Sequence, residues 1–182
     1  MLYGTIMRHD VLPPNIEEDM GLSNRQGFLL IAAACAGAMG FALFAQYQLG
    51  LEPCPLCIFQ RIGVIAAGVV ALVAALVNPG RCGVRAWGGL TILAALGGLS
   101  VSLRQLWLQH LPADQVPACG PGLEFLMESS PLTEVISKVL KGSGECASVD
   151  WTFLGMAMPF WVAVFFVGVI GFAGWLLARK SA

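Results

Sequence analysis

Scanned for charge, the chain divides into long blank stretches separated by short polar joints. Between Arg25 and Glu52 lie 26 residues without a charged side chain, between Arg61 and Arg81 19, between Arg85 and Arg104 18, and between Asp150 and Arg179 28. A helix needs roughly 20 apolar residues to cross a hydrocarbon core of about 30 Å. All four stretches meet that requirement, the third most narrowly. They are too long and too uniformly apolar for barrel strands, which alternate. The pattern predicts an all-α membrane protein, a four-transmembrane-helix bundle with helices at about 27–50, 57–77, 87–107 and 156–178 in one membrane domain over 26–180. Residues 1–25 differ in kind: Pro13-Pro14 and the acidic run Glu17-Glu18-Asp19 predict a flexible cytoplasmic tail, and Met20 offers a second start site. The first apolar run begins too far into the chain, and lacks the small-residue cleavage site, for a cleaved signal peptide.

Four spans place both termini on one side. Arg25, Arg81, Arg85, Arg179 and Lys180 flank that side, whereas the connection from Glu52 to Leu56 has no Lys or Arg. Positive charge marks the cytoplasmic face, so the first and third connections are expected outside. The third, at about 108–155, carries six carboxylates and two lysines between Asp114 and Asp150, a polar loop rather than a further span. Within it Leu132, Val135, Ile136, Val139 and Leu140 recur at helical spacing. Ser130-Pro131 suits the start of this short amphipathic helix and Gly142 its stop. The loop is too short for much core of its own, which favours a helix lying along the membrane surface over one packed on its loop. Trp107, Trp151 and Trp161 fall near outer helix ends, where indole rings suit the headgroup region.

Composition supports the same class. Hydrophobic residues make up 57% and charged residues 12%, with a mean hydropathy of +0.76, which leaves too little charge for the surface of a soluble domain. The net charge of −1, with lysines and arginines scattered, implies no nucleic-acid partner. No Walker loop, HExxH helix or dinucleotide fingerprint is present in the sequence.

Chemistry concentrates in the cysteines. Cys54 and Cys57 lie at the start of the second span, Cys119 and Cys146 in the long outer loop, Cys35 in mid-membrane and Cys82 in the cytoplasmic connection. Four of the six thus face the compartment where disulfides persist. The close spacing in Cys54-Pro55-Leu56-Cys57 favours a local bridge, leaving Cys119 and Cys146 for a second. Cys57 falls in a first helical turn, where unpaired N–H groups favour a thiolate, and Arg61 follows four residues later on the same face. The thiolate is the reactive form in disulfide exchange. A charge just inside a membrane implies a partner or a function, and a lipophilic acceptor with carbonyl oxygens, such as a quinone, would meet both groups. Blander readings are a zinc site of four sulfurs, a pair of structural disulfides, and an Arg61 that only snorkels to the interface. The 27-residue separation of Cys119 and Cys146 is unlike a zinc knuckle. Cys35 reads as an inert buried thiol, Cys82 as a reduced cytosolic one, and His9 and His110 as surface residues.

The segment EPCPLCIFQR from Glu52 to Arg61 resembles the signature of the DsbB family of thiol:quinone oxidoreductases. The resemblance continues through LQHLPADQVPAC from Leu108 to Cys119, Gly144-Glu145-Cys146, and WTFLGMAMPFW from Trp151 to Trp161, and spans nearly everything from Met20 onward. It implies a multi-pass protein of the bacterial inner membrane that takes part in electron transport. Its cofactor would be a quinone, ubiquinone or menaquinone, drawn from the membrane pool. Its partner would be a periplasmic DsbA-like oxidant of thioredoxin fold. Cys54 and Cys57 would match the pair reoxidised by quinone, with Cys57 nearest the ring and Arg61 beside it. Cys119 and Cys146 would match the shuttle pair, with Cys119 forming the mixed disulfide with the partner. Met158 and Trp151 would match positions near the quinone or the loop anchor. A family histidine at the outer end of the third helix has no match in Arg104-Gln105-Leu106-Trp107, and His110 is out of register, so that role is not carried over.

The implied sequence of events is attack of the reduced partner on Cys119–Cys146, reoxidation of that pair by Cys54–Cys57, and electron transfer from Cys57 to quinone. Two other readings compete. A quinone reductase resembling the vitamin K epoxide reductase family would carry its Cys-x-x-Cys on a later helix. A non-enzymatic scaffold stapled by disulfides gives no reason for Arg61 at its offset.

Overall fold

The structure is a computed structural model, described over residues 22–112, 114–117, 125, 127–128, 131–142, 144–149 and 151–179. It is an all-α membrane bundle. Three long helices follow one another: α1 (Asn24–Gln48), α2 (Pro55–Val77) and α3 (Arg81–Gln109). The described part of the connection that follows includes the short helices α4 (Leu132–Lys141) and α5 (Gly144–Ala147) and a two-stranded hairpin, β1 (Thr152–Phe153) with β2 (Met156–Ala157). The last long helix is α6 (Met158–Ala178). All four long helices are long and apolar enough to cross a membrane. The expected tail up to Gly21, together with Met20, Cys119, Ser130 and Lys180, lies outside the described residues.

Local signals set the helix ends. Ser23 caps α1 through a reciprocal pair, its Oγ accepting from the Gln26 amide at 3.2 Å while its own amide donates to Gln26 Oε1 at 2.9 Å. Pro55 opens α2 at its first helical position, and Asn78 ends it in the left-handed region at φ 45°. α3 starts at Arg81, six residues before the expected position 87, so its connection to α2 is only a tight turn. A span read from charge-free runs leaves out Arg81 and Arg85, but charged residues in the first two turns can stand outside the hydrocarbon. α6 starts two residues later than expected, because Met156 and Ala157 pair antiparallel with Phe153 and Thr152. The turn between them places Leu154 at φ 52° and Gly155 at φ 77°, the left-handed pair a two-residue hairpin needs.

The long helices expose apolar side chains outward, among them Leu29, Phe44, Ile65, Leu72, Leu93 and Val167. A helix apolar all round belongs in lipid. Inward, the contacts are made by small residues. α2 and α3 touch at backbone distance: a Cβ on Gly63 would lie 2.8 Å from Gly98 Cα, and one on Gly98 would fall within the Phe166 ring of α6. Gly68 of α2 receives Cys35 of α1 in the same way, at 2.8 Å. With lipid outside, helices gain little from hydrophobicity alone and associate through such close packing. The helix ends that carry the termini meet, with Arg179 Nη1 donating to the Leu22 carbonyl at 2.9 Å.

At the opposite end, hereafter the thiol end, a second apolar cluster joins Leu56, Val101 and Leu108 of the bundle to Val135, Val139 and Cys146. The amphipathic helix is therefore packed on the bundle through Val135 and Val139, while Leu132, Ile136 and Leu140 face outward. The helix thus packs on the bundle rather than on its own loop. Arg104 fixes it further, donating from Nε to the Leu140 carbonyl at 3.2 Å and from Nη2 to that of Lys141 at 3.0 Å. These are carbonyls that a helix C-terminus leaves without partners. Pro131 is the N-cap rather than the first helical residue, and Gly142 ends the helix at φ 84°.

The α2–α3–α6 contact is open to test. Gly98→Val should lower the thermal stability of the detergent-purified protein by about 1–3 kcal/mol, the usual cost of overpacking. Adding Phe166→Leu should recover part of the loss; a single variant as stable as wild type would show that the helices do not touch there.

Candidate redox site at the thiol end

After α1 the chain turns at Gly50, φ 66°, and runs extended to Cys54, which is the N-cap of α2 at φ −65° and ψ 164°. The Cys54 carbonyl accepts the first helical bond, from the Ile58 amide at 3.2 Å. Cys57 then falls in the first turn, three residues on and beside Cys54. Their sulfurs lie 3.1 Å apart, the Cys54 thiol donating. The pair is brought together by a helix start, and Pro55 between them removes one N–H the helix could not satisfy.

Two glutamines complete this sulfur site, and neither was assigned a role by sequence reasoning. Gln105 of α3 directs Nε2 at both sulfurs, 3.4 Å from Cys54 Sγ and 3.4 Å from Cys57 Sγ. Its Oε1 accepts from Gln60 Nε2 at 2.8 Å and lies 3.6 Å from Cys57 Sγ. Both glutamines are buried. A scan for charge passes over an uncharged amide; the available signal was the rarity of such polar groups within spanning helices.

Cys146, in α5, is fully buried in the apolar cluster against which Cys54 packs. Hydrogen bonding with Cys146, then with Cys57, together with burial, holds the Cys54 thiol well above the ordinary thiol range. Cys54 therefore sits between two sulfur neighbours, one from its own motif and one from the distant connection. Cys119, expected to pair with Cys146, lies outside the described residues.

Arg61 is on the Cys57 side of α2, but its guanidinium is turned to α1. Nη1 donates to Gln46 Oε1 and Nη2 to the Ala42 carbonyl at 3.2 Å. Among the described residues, the side-chain partners of Cys57 Sγ are Cys54 and Gln105, so the expected guanidinium beside the sulfur is replaced by an amide. Arg61 and Cys57 instead share a cavity of about 330 Å³, which Cys54, Gln60, Gln105 and Met158 also line. Apolar walls come from Ala38, Phe41, Val162 and Phe165. A string of rings runs along its lining: Phe41 to Trp151 at 6.4 Å, Trp151 stacked on Phe153 at 6.0 Å, and Phe153 against Trp161 at 5.7 Å. Trp161 is tied to the hairpin by Nε1 donating to the Phe153 carbonyl at 3.2 Å. Trp107 stands apart under the Arg104 guanidinium, 4.2 Å from its ring centre. His110 is outside the cavity lining, with its ring nitrogen 2.7 Å from the Leu106 carbonyl. Cys35 is buried in the helical core and Cys82 exposed at the far end of α3.

A multi-pass helical membrane protein with a paired thiol site at the mouth of one span is the class this architecture defines. The family model described as "Disulfide bond formation protein DsbB" matches residues 24–176, and the chain belongs to that family. Relatives named "Disulfide bond formation protein B" align over most of both chains. One from Chromobacterium violaceum is 73% identical over 161 residues, 88% of this chain and 97% of its own. One from Hahella chejuensis is 53% identical over 147 residues, 81% and 89%. One from Nitrosococcus oceani is 48% identical over 164 residues, 89% and 96%. The protein is thus an oxidoreductase of disulfide bond formation.

The Cys54–Cys146 contact has a direct consequence. Mild oxidation of a Cys57→Ser, Cys119→Ala double variant should yield a Cys54–Cys146 disulfide, detected as a linked peptide pair by mass spectrometry. Recovery of unlinked peptides only would show that α5 does not hold Cys146 at the α2 N-terminus.

Proposed function

We propose that this protein oxidises a periplasmic DsbA-like dithiol partner of thioredoxin fold and passes the electrons to membrane quinone, ubiquinone or menaquinone. The reading places it in the bacterial inner membrane, with both termini cytoplasmic and the thiol end outward, as the distribution of positive charge favours. The observation that carries it is the opening of the Cys54–Cys57 pair onto a mostly apolar cavity at the end of spanning helices, which Gln60, Arg61 and Gln105 also line. The polar groups of Gln60, Arg61 and Gln105 beside the sulfurs suit the carbonyl oxygens of a quinone head. The apolar walls and Met158 suit its ring and the start of its tail.

When bound, a quinone supplies a two-electron, two-proton acceptor. The residues do the rest. A thiolate of the partner attacks the Cys119–Cys146 disulfide at Cys119. The partner's second thiol resolves the mixed disulfide and leaves with the new bond, and Cys119 and Cys146 are left as thiols. Cys146, already packed beside Cys54, then attacks Cys54 of the Cys54–Cys57 disulfide, forming a Cys54–Cys146 disulfide and releasing Cys57 as a thiolate. Attack of Cys119 on Cys146 restores the loop disulfide and leaves Cys54 and Cys57 reduced. This pair gives up two electrons and two protons and closes again. The helix N-terminus favours the Cys57 thiolate throughout. Each ~30 mV by which the acceptor is more oxidising than the partner contributes about 1.4 kcal/mol to the forward direction.

The decisive measurement is turnover by the detergent-purified protein given a soluble quinone analogue and a reduced thioredoxin-fold dithiol. The expected result is catalytic quinone consumption matched by disulfide formation in the partner; an inert wild-type protein would end the proposal. Cys57→Ser should abolish quinone reduction while leaving a single exchange between the partner and the loop pair. Arg61→Met should raise the quinone KM by roughly tenfold, as loss of a charged hydrogen-bonding group in a cavity does. Unchanged kinetics at limiting quinone would leave Arg61 only its bonds to α1.

A further inference from the structure

Resting on the thiol chemistry proposed above, the geometry points to Gln105 as a catalytic hydrogen-bond donor to the Cys57 thiolate, with Gln60 as the positioning residue that fixes which way its amide faces. A carboxamide presents a donor and an acceptor that exchange places if it rotates. Here Gln60 Nε2 occupies Gln105 Oε1 at 2.8 Å, which sets the orientation and leaves Nε2 facing the sulfurs, 3.4 Å from each. The two glutamines are 4% and 3% exposed, so bulk water does not compete for the same bonds.

The same amide serves two states of Cys57. As a thiol, Cys57 can donate to Gln105 Oε1 at 3.6 Å; as a thiolate, it can accept from Nε2 at 3.4 Å. The change of protonation therefore requires no side-chain rotation. Donors already in place where charge appears are more effective than donors that must reorient. Arg61 does not take this role, because its guanidinium is bonded to Gln46 and Ala42 of α1. Gln105 comes from α3, 48 positions along the chain from Cys57, so bundle assembly makes the thiolate site.

The test reads the sulfur itself. Reduced full-length protein in detergent, without quinone, is alkylated with iodoacetamide at pH 7, and the rate at Cys57 is followed by site-resolved mass spectrometry. Gln105→Met, similar in shape but without a donor, should slow alkylation of Cys57 about tenfold, the size expected for one lost bond to a charged group. Alkylation of Cys82 should not change. Gln60→Met keeps the donor but frees it to rotate, and should slow Cys57 by roughly threefold. A rate equal to or above wild type would overturn the assignment, since a merely structural role predicts a looser, faster-reacting thiol. If Gln105→Met does not yield folded protein, Gln60→Met decides on the same criterion. Slowed alkylation in a protein that shows no quinone turnover would sustain the role of Gln105 and refute the quinone reading instead.

Discussion

The contact on which the rest depends is the backbone-to-backbone approach of α2 and α3 at Gly63 and Gly98, closed by the Phe166 ring. It fixes the register of two antiparallel helices. Gln60 lies one turn from Gly63 along α2, and Gln105 lies two turns from Gly98 along α3. Both steps return to the same helix face, and they run toward the same end of the bundle. The amide–amide bond at 2.8 Å follows from that register. Another turn outward on α2, Leu56 meets the cluster of Leu108, Val135 and Val139. A slide of one residue between the helices would separate the glutamines and turn the amide away from sulfur.

Polar chemistry at the end of a lipid-facing bundle has to be satisfied internally, because a buried donor or acceptor without a partner is costly. This protein meets the constraint by division of labour. Arg61 gives its charge to α1, through Gln46 and the Ala42 carbonyl, and also lines the cavity. The sulfurs are served by an uncharged amide pair. Thr91 and Ser102, also buried, return their hydroxyls to the carbonyls of Trp87 and Gly98 in their own helix. The cavity therefore combines largely apolar walls with a few satisfied polar groups, the arrangement a largely apolar ligand with a polar head requires.

The connection between α3 and α6 is held at both ends. Arg104 caps α4, and the hairpin before α6 carries Phe153 to Trp151 and Trp161 in the cavity lining. Between these anchors α5 holds Cys146 against Cys54. A short helix that packs Val135 and Val139 on the bundle thus has a chemical consequence: it sets where a distant sulfur sits relative to the motif at α2.

The order of four spans, the thiol pair at a helix start and the presence of an amphipathic helix near 132–141 were legible in the sequence. Each depends on local spacing alone: bilayer thickness sets run length, and Pro55 with flanking cysteines sets a helix N-terminus. Arg61 and Met158 were legible as candidates, and the fold brings both to the Cys57 cavity. What touches what was not legible. The turn of Arg61 toward α1, the role of Gln105, the burial of α4 on the bundle and the hairpin ahead of α6 all arise from contacts between segments far apart in the chain. Helical periodicity says which face a residue is on, but not which face of another helix it meets. That was decided by glycines at the crossing, whose small size has meaning only once the second helix and the Phe166 ring are in place.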